Sequence, residues 1–291
     1  MAQRVSSMGF LGSGQMARAL VKGFIRSNYI SQENIITSAT SERSFSLQKM
    51  KADPNCSKVN ITANNVEVVE NSEVVWIATK PHAIPRVMRE IAPFAKPNQI
   101  FISVAAGTTI KTLEEGLPTK SKVVRTMPNT PVIVQKGVTI YALGNSISDV
   151  DHTVVKDMLD VVGVGMEMQE HYMDIMTALS GGGPSFMYLM MDALADGGVY
   201  AGVPKDIALK LTAHTMIGSA EMVLSNGVHP QELKDSVCSP AGTAIQGIRL
   251  LERKGFRGIM MDAVHAASKR ALELSKLQNG NGEERDVYVK R

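Results

Sequence analysis

The chain has 291 residues, 44% of them hydrophobic, enough to bury a substantial core, and its length suits two domains better than one. Its 31 basic and 28 acidic residues are intermixed, so the formal charge of +3 comes without the basic stripe that nucleic acid or an anionic membrane requires. Two cysteines make no disulfide framework, six histidines show no paired spacing for a metal, and no apolar run approaches the roughly 20 residues that span a bilayer.

The β-type run from Val5 leads at once into Gly9-Phe10-Leu11-Gly12-Ser13-Gly14-Gln15-Met16-Ala17, which predicts a strand, a tight turn and a helix over residues 15–25. In a dinucleotide loop Gly12 permits the turn, Gly14 lets backbone approach a pyrophosphate, and the small Ala17 packs the helix on its strand. The helix N-terminus offers free N–H groups to phosphate. Residues 33–38 predict the second strand, whose end distinguishes the two nicotinamide dinucleotides. An acidic residue there bonds a ribose 2′-hydroxyl, whereas this chain has Ser38, Ala39, Thr40, Ser41 and, past Glu42, Arg43. Hydroxyls and a guanidinium suit a 2′-phosphate, so NADPH is the expected cofactor, with NADH also accepted.

Residues 59–62 predict a short strand, and Asn64 and Asn65 start the next helix. The unbroken apolar run 74–79 reads as a parallel strand buried on both faces, ending in Lys80-Pro81-His82. Ligands of such sheets bind beyond the strands' carboxyl ends, which puts Ala78, Thr79, Lys80 and Pro81 beside the cofactor, with His82 capping or packing. Residues 100–104 form a strand entering the small turn Ala105-Ala106-Gly107, and a short helix follows over 112–116. A strand from Val123 ends in Pro128-Asn129-Thr130-Pro131, where two prolines hold Asn129. Residues 137–143 predict a strand, 149–162 a helix and 166–170 a further strand. Such alternation predicts an α/β, Rossmann-like, doubly wound and mostly parallel sheet over residues 1–172.

From residue 173 to 278 helical spacing takes over, which predicts an all-helical second domain, followed by a loose polar tail over 279–291. Leu179 to Pro184 breaks a helical pattern, and Met187, Met190, Met191 and Leu194 recur at helical spacing as a core or dimer stripe. Pro204 suits the first turn of a helix over 205–225 whose apolar surface is wide enough for burial on more than one side, the second side coming from another chain. Residues 230–247 read as helix, small-residue turn, helix. N–H groups around Gly242 and Thr243, with the Ser239 and Thr243 hydroxyls, make a cradle for one carboxylate. A final amphipathic helix carries residues 259–274.

Taken together, the glycine loop, Ala78-Thr79-Lys80-Pro81, Val104 to Gly107, Met127 to Pro131, Leu179 to Pro184, Asp192 to Val199 and the stretch from Val237 to Gly247 resemble the pyrroline-5-carboxylate reductase family, in the family's order, over residues 5–277. The resemblance implies reduction of 1-pyrroline-5-carboxylate to L-proline by NAD(P)H. It also implies interlocked helical domains in a homodimer, dimers assembling into a decamer, and an active site at the dimer interface. On this reading Thr243 and Lys80 are the candidate catalytic residues, and Val237, Ser239, Gly242, Thr243 and Ala244 bind substrate. Cofactor binding falls to Gly12, Ser13, Gly14, Gln15, Met16, Ser38, Arg43, Asn65, Ala78, Thr79, Lys80, Pro81, Ala105, Ala106, Gly107 and Asn129.

The chain departs from the family pattern in three places: Ala241 replaces the first glycine of Ser-Pro-Gly-Gly, Ala244 replaces a threonine whose hydroxyl faces the substrate ring nitrogen, and Gly182 stands where serine is frequent. These bear on substrate affinity and rate. Two rival readings are a 3-hydroxyacid or 6-phosphogluconate-type dehydrogenase, with Lys205, Lys210 or Lys234 as general acid/base, and an NADPH-binding oligomer that has lost catalysis. With no charged-then-apolar signal segment ahead of the first strand and little use of cysteine, the expected setting is the cytoplasm.

Overall fold

The structure is a computed structural model and describes residues 5–39 and 45–278. Among these, eight strands form one sheet: β1 (Met8–Leu11), β2 (Ile35–Ser38), β3 (Asn60–Thr62), β4 (Val74–Ile77), β5 (Ile100–Ser103), β6 (Lys122–Pro128), β7 (Gly137–Leu143) and β8 (Gly163–Glu167). Their order is β3-β2-β1-β4-β5-β6-β7-β8, parallel at every pairing except β6 with β7. Winding proceeds outward from β1 through β2 to β3, then jumps back across β1 to β4. That reversal falls between β1 and β4, at whose carboxyl ends open α/β sheets of this winding bind ligands.

The inner strands are apolar throughout because both faces are covered. On β4, Val74 and Trp76 enter one core and Val75 and Ile77 the other. The first core is closed by α1 (Gln15–Arg26), α2 (Phe45–Lys51) and, further along the chain, the helix of residues 149–160; in it Phe10 and Phe24 lie against Trp76 with ring centroids 5.9 and 5.7 Å away. On the other face lie α3 (Asn65–Glu70), α4 (Ile84–Ile91) and α5 (Ile110–Glu115). The 149–160 helix is α6 (Asp149–Asp160), and a capping box between Ser148 and Asp151 starts it.

The helical part comprises α7 (Met173–Leu179), α8 (Gly183–Tyr200), α9 (Lys205–Asn226), α10 (Pro230–Val237), α11 (Thr243–Arg253) and α12 (Phe256–Gln278). The expected break at Leu179 to Pro184 is the junction of α7 and α8. Two compact units result, one drawn from Met1–Gly182 and Ala267–Arg291, the other Gly183–Ala266. In the second, Ala195 and Ala208 are the buried apolar side chains among the described residues, while Leu189, Leu194, Leu211, Ile217, Leu224, Ile259 and Met261 are each 60% or more exposed.

Some expected boundaries move. The strand expected over 166–170 is β8 at Gly163–Glu167, and Glu170 to Tyr172 form a single tight turn of helix. Gly163 sets the start, since its φ is +152° and a β-carbon there would strike the Gly137 carbonyl oxygen. Pro204 precedes α9 as its N-cap instead of sitting in its first turn.

Candidate functional site

Gly12 has φ +110°, and a β-carbon on it would lie 2.8 Å from the Ala78 carbonyl oxygen, so the chain itself demands glycine there. Gly14 differs. Its φ is −63° and the nearest atom to an added β-carbon is 3.9 Å away, so the missing side chain leaves room beside the loop. Gly14 is the N-cap of α1, and no side chain caps that helix. An open, uncapped helix N-terminus behind a side-chain-free loop fits a dinucleotide's pyrophosphate. Ser13 is buried, Met16 half-buried and Gln15 exposed.

Around this loop the carboxyl ends of the neighbouring strands converge. The Ala78 N–H donates to the Leu11 carbonyl at 3.0 Å, tying the segment after β4 to β1. Thr79 Oγ1 is buried with no hydrogen-bond partner among the described residues, and Lys80 is exposed just ahead of the turn that Pro81 begins. At the end of β2, Ser38 is 2% exposed: its hydroxyl accepts from the Gly12 N–H at 3.2 Å and donates to Asn65 Oδ1 at 2.6 Å. Asn65 in turn donates from Nδ2 to Glu90 Oε2 at 3.0 Å. Thr37 Oγ1 donates to the Gly12 carbonyl at 3.3 Å. Arg43, with Thr40, Ser41 and Glu42, lies outside the described residues.

After β5, Ala105 is buried, Ala106 exposed, and Gly107 adopts φ +76°. Ser275 Oγ, near the end of α12, donates to the Gly107 carbonyl at 3.4 Å. Asn129 is 7% exposed, and its side chain is committed to the fold: Nδ2 donates to the Ser180 carbonyl at 3.1 Å and Oδ1 accepts from the Val138 N–H at 2.9 Å. Gly12, Ser38, Asn65 and Glu90 are therefore joined in one bonded group, with Ala78 tied to the neighbouring Leu11, while the Asn129 amide anchors β7 and the end of α7.

The second unit carries the other predicted group. Val237 ends α10 and is 70% exposed; Ser239 and Thr243 are exposed, Gly242 and Ala244 half-buried. The Gly242 N–H donates to the Ser239 carbonyl at 3.0 Å, and a β-carbon on Gly242 would lie 2.3 Å from Ser239 Oγ. α11 opens at Thr243 behind Gly242 without a side-chain cap, so its first N–H groups face the turn. Ala241 has φ +58°, left-handed backbone that glycine adopts freely and alanine does not.

Of the lysines that a dehydrogenase reading calls on, Lys205 is held by Asp192 at 2.7 Å and Asp196 at 2.5 Å, which raise its pKa, and Lys234 pairs with Asp235. Burial pushes the Cys56 thiol up to about 11, which keeps it protonated and unreactive. No group of three or more His, Cys, Asp or Glu is placed to hold a metal among the described residues, nor is any helix there long and apolar enough to cross a membrane.

Arg125 escaped the sequence reading. It is 2% exposed within β6, and its guanidinium meets Glu170 at 3.1 Å and Asp174 at 2.5 Å, the first of which also accepts from the Ile110 N–H. Nothing in the local pattern of β6 distinguishes it from a surface arginine. Glu90 was missed likewise, because its partner lies on another helix.

A family model described as pyrroline-5-carboxylate reductase dimerisation matches residues 170–274, and one described as NADP oxidoreductase, coenzyme F420-dependent, matches residues 7–107. Pyrroline-5-carboxylate reductase 3 of Xenopus laevis is 38% identical over 92% of this chain and 96% of its own length; the pyrroline-5-carboxylate reductase of Glycine max is 39% identical with the same coverage. The chain belongs to the pyrroline-5-carboxylate reductase family. Among solved structures, the Plasmodium falciparum pyrroline carboxylate reductase with NADP bound matches with TM-score 0.82 and 32% identity over 92% of this chain and 98% of that one. The pyrroline-5-carboxylate reductase of Coxiella burnetii matches with TM-score 0.81 and 33% identity over 94% and 100%. As a member of this family the chain is a nicotinamide-dependent oxidoreductase with a homo-oligomerisation region.

Proposed function

We propose that this chain reduces 1-pyrroline-5-carboxylate to L-proline, the last step of proline synthesis. The observation that carries the reading is that each unit presents an uncapped helix N-terminus behind a glycine turn, one at Gly14 and one at Gly242, in a chain of this family. The nicotinamide supplies the hydride. Gly12, Ser13, Gly14, Gln15 and Met16 would hold its pyrophosphate, with Asn65, Ala78, Thr79, Lys80, Pro81 and the turn Ala105 to Gly107 lining the same edge. NADPH is preferred over NADH because residues 40–43 offer the hydroxyls of Thr40 and Ser41 and the guanidinium of Arg43 against only one carboxylate.

The Ser239 to Thr243 turn would hold the substrate carboxylate through N–H groups and hydroxyls, without any buried cation. A protonated imine is already electrophilic, so orientation supplies much of the acceleration and little acid–base work falls on side chains. Thr243 is the candidate catalytic residue of the second unit and Lys80 that of the first, where Asn129 fixes the backbone after β6. The exposed apolar faces of α8 and α9 support an interlocked homodimer, with dimers assembling to a decamer, and low cysteine use suits the cytoplasm.

Steady-state oxidation of NADPH and NADH by the purified protein with 1-pyrroline-5-carboxylate tests the reading. Proline as product supports it. Tight NADPH binding without turnover would favour a binding protein that has lost catalysis, with Ala244 as the cause.

A further inference from the structure

The bonds from Glu90 to Gly12 run in one direction, and chemistry dictates which. A carboxylate only accepts, so Glu90 obliges Asn65 to present its NH2, at 3.0 Å. The amide oxygen of Asn65 is thereby turned toward Ser38, and the Ser38 hydroxyl has to donate to it, at 2.6 Å. One lone pair of the hydroxyl is taken by the Gly12 N–H at 3.2 Å. What remains on Ser38 is a single lone pair, which accepts from a hydroxyl and has no hydrogen for a phosphate. The residue stands at the end of β2, where the 2′ substituent of a dinucleotide is distinguished.

We propose that Glu90 is a positioning residue for cofactor choice: by fixing the polarity of the Glu90–Asn65–Ser38 chain it keeps the Ser38 hydrogen away from the ribose. Ser38 then braces the glycine loop for either dinucleotide, and selection of a 2′-phosphate is left to the segment carrying Arg43. The inference rests on the reading that the first unit binds a nicotinamide dinucleotide. A glutamine at position 90 both donates and accepts, so Asn65 is free to flip. Its NH2 then points at Ser38, and the serine hydrogen is released toward the ligand.

The test is a set of equilibrium titrations of NADPH and NADH, followed by nicotinamide fluorescence, on the full chain and on Glu90→Gln, Ser38→Ala and the double variant. Glu90→Gln is expected to shift the NADPH to NADH affinity ratio about three- to tenfold toward NADPH, the worth of one added hydrogen bond to a charged group. In the Ser38→Ala background the same substitution should leave the ratio unmoved. An equal shift in both backgrounds would mean that the carboxylate's charge acts directly, and the proposal would fall. Ser38→Ala alone should weaken both dinucleotides, NADH at least as much as NADPH; a loss confined to NADPH overturns the proposal even if Glu90→Gln fails to fold. Failure of the unaltered chain to bind either dinucleotide would instead remove the underlying reading and the proposal with it.

Discussion

The carbonyl oxygen of Ala78 occupies the space where a side chain on Gly12 would go, 2.8 Å from the position of its β-carbon, whereas the corresponding distance from Gly14 is 3.9 Å. The first glycine is demanded by the backbone around it; nothing around Gly14 demands the second, which on the proposed function is kept open for the cofactor. Gly12→Ala should therefore destabilise the fold by about 1–3 kcal/mol through its positive φ and the clash. Gly14→Val should leave the urea midpoint nearly unchanged while weakening NADPH at least about tenfold, by crowding the phosphate approach. Denaturation and titration of the two variants side by side check this; equal loss of stability in both would refute the distinction.

Ala241 holds φ +58° in the turn before α11. Ala241→Gly is expected to raise stability by about 1 kcal/mol, because alanine bears the left-handed conformation at a cost glycine does not. The urea midpoint at fixed protein concentration reads the effect. A destabilised variant would mean that the turn relaxes when the chain assembles.

Gly242→Val should abolish substrate binding, since its side chain would enter the space of Ser239 Oγ, and leave NADPH binding intact. Ala244→Thr, one position into the helix, should lower KM or raise kcat several-fold by supplying a hydroxyl near the imine nitrogen. Unchanged kinetics for the second variant would make that hydroxyl immaterial here.

Arg125 satisfies Glu170 and Asp174 from inside β6. Arg125→Ala should cost about 3 kcal/mol, because two carboxylates lose their cation in a largely buried setting. Equilibrium unfolding measures it, and a change below about 1 kcal/mol would place the network in the class of surface pairs.

Burial, with Glu167 and Asp160 adding to it, pushes the Tyr141 phenol up to about 12. In the unfolded chain the phenol ionises near pH 10, so between about 10 and 12 the unfolded state has fewer protons and stability falls as pH rises. Tyr141→Phe should flatten that decline. Thermal melts from pH 9 to 11.5 on both proteins make the comparison, and parallel curves would exclude the residue.

Most of the first unit was legible because parallel strands buried on both faces leave unbroken apolar runs and glycine loops keep fixed spacing. The run at residues 74–77 and the Gly12 to Gly14 turn needed no tertiary knowledge. What escaped were polar groups whose partners come from distant elements. Ser38 reads as a phosphate ligand until Asn65 and Glu90 are seen to claim its hydrogen. Asn129 reads as a pocket amide until Ser180 and Val138 take both ends of it. Ala241 reads as a lost glycine, but only φ shows what the loss entails. Local sequence records which atoms can bond; the fold decides which do.

The exposed leucines of α8 and α9 lie in the region that matches the dimerisation model, and a change at a contact between identical copies enters the assembly more than once. A substitution worth about 1 kcal/mol per site counts twice across a twofold contact, roughly a thirtyfold change in the dimerisation constant. If those faces meet across the twofold, a mild defect there would act on the assembly as dilution of the whole enzyme does.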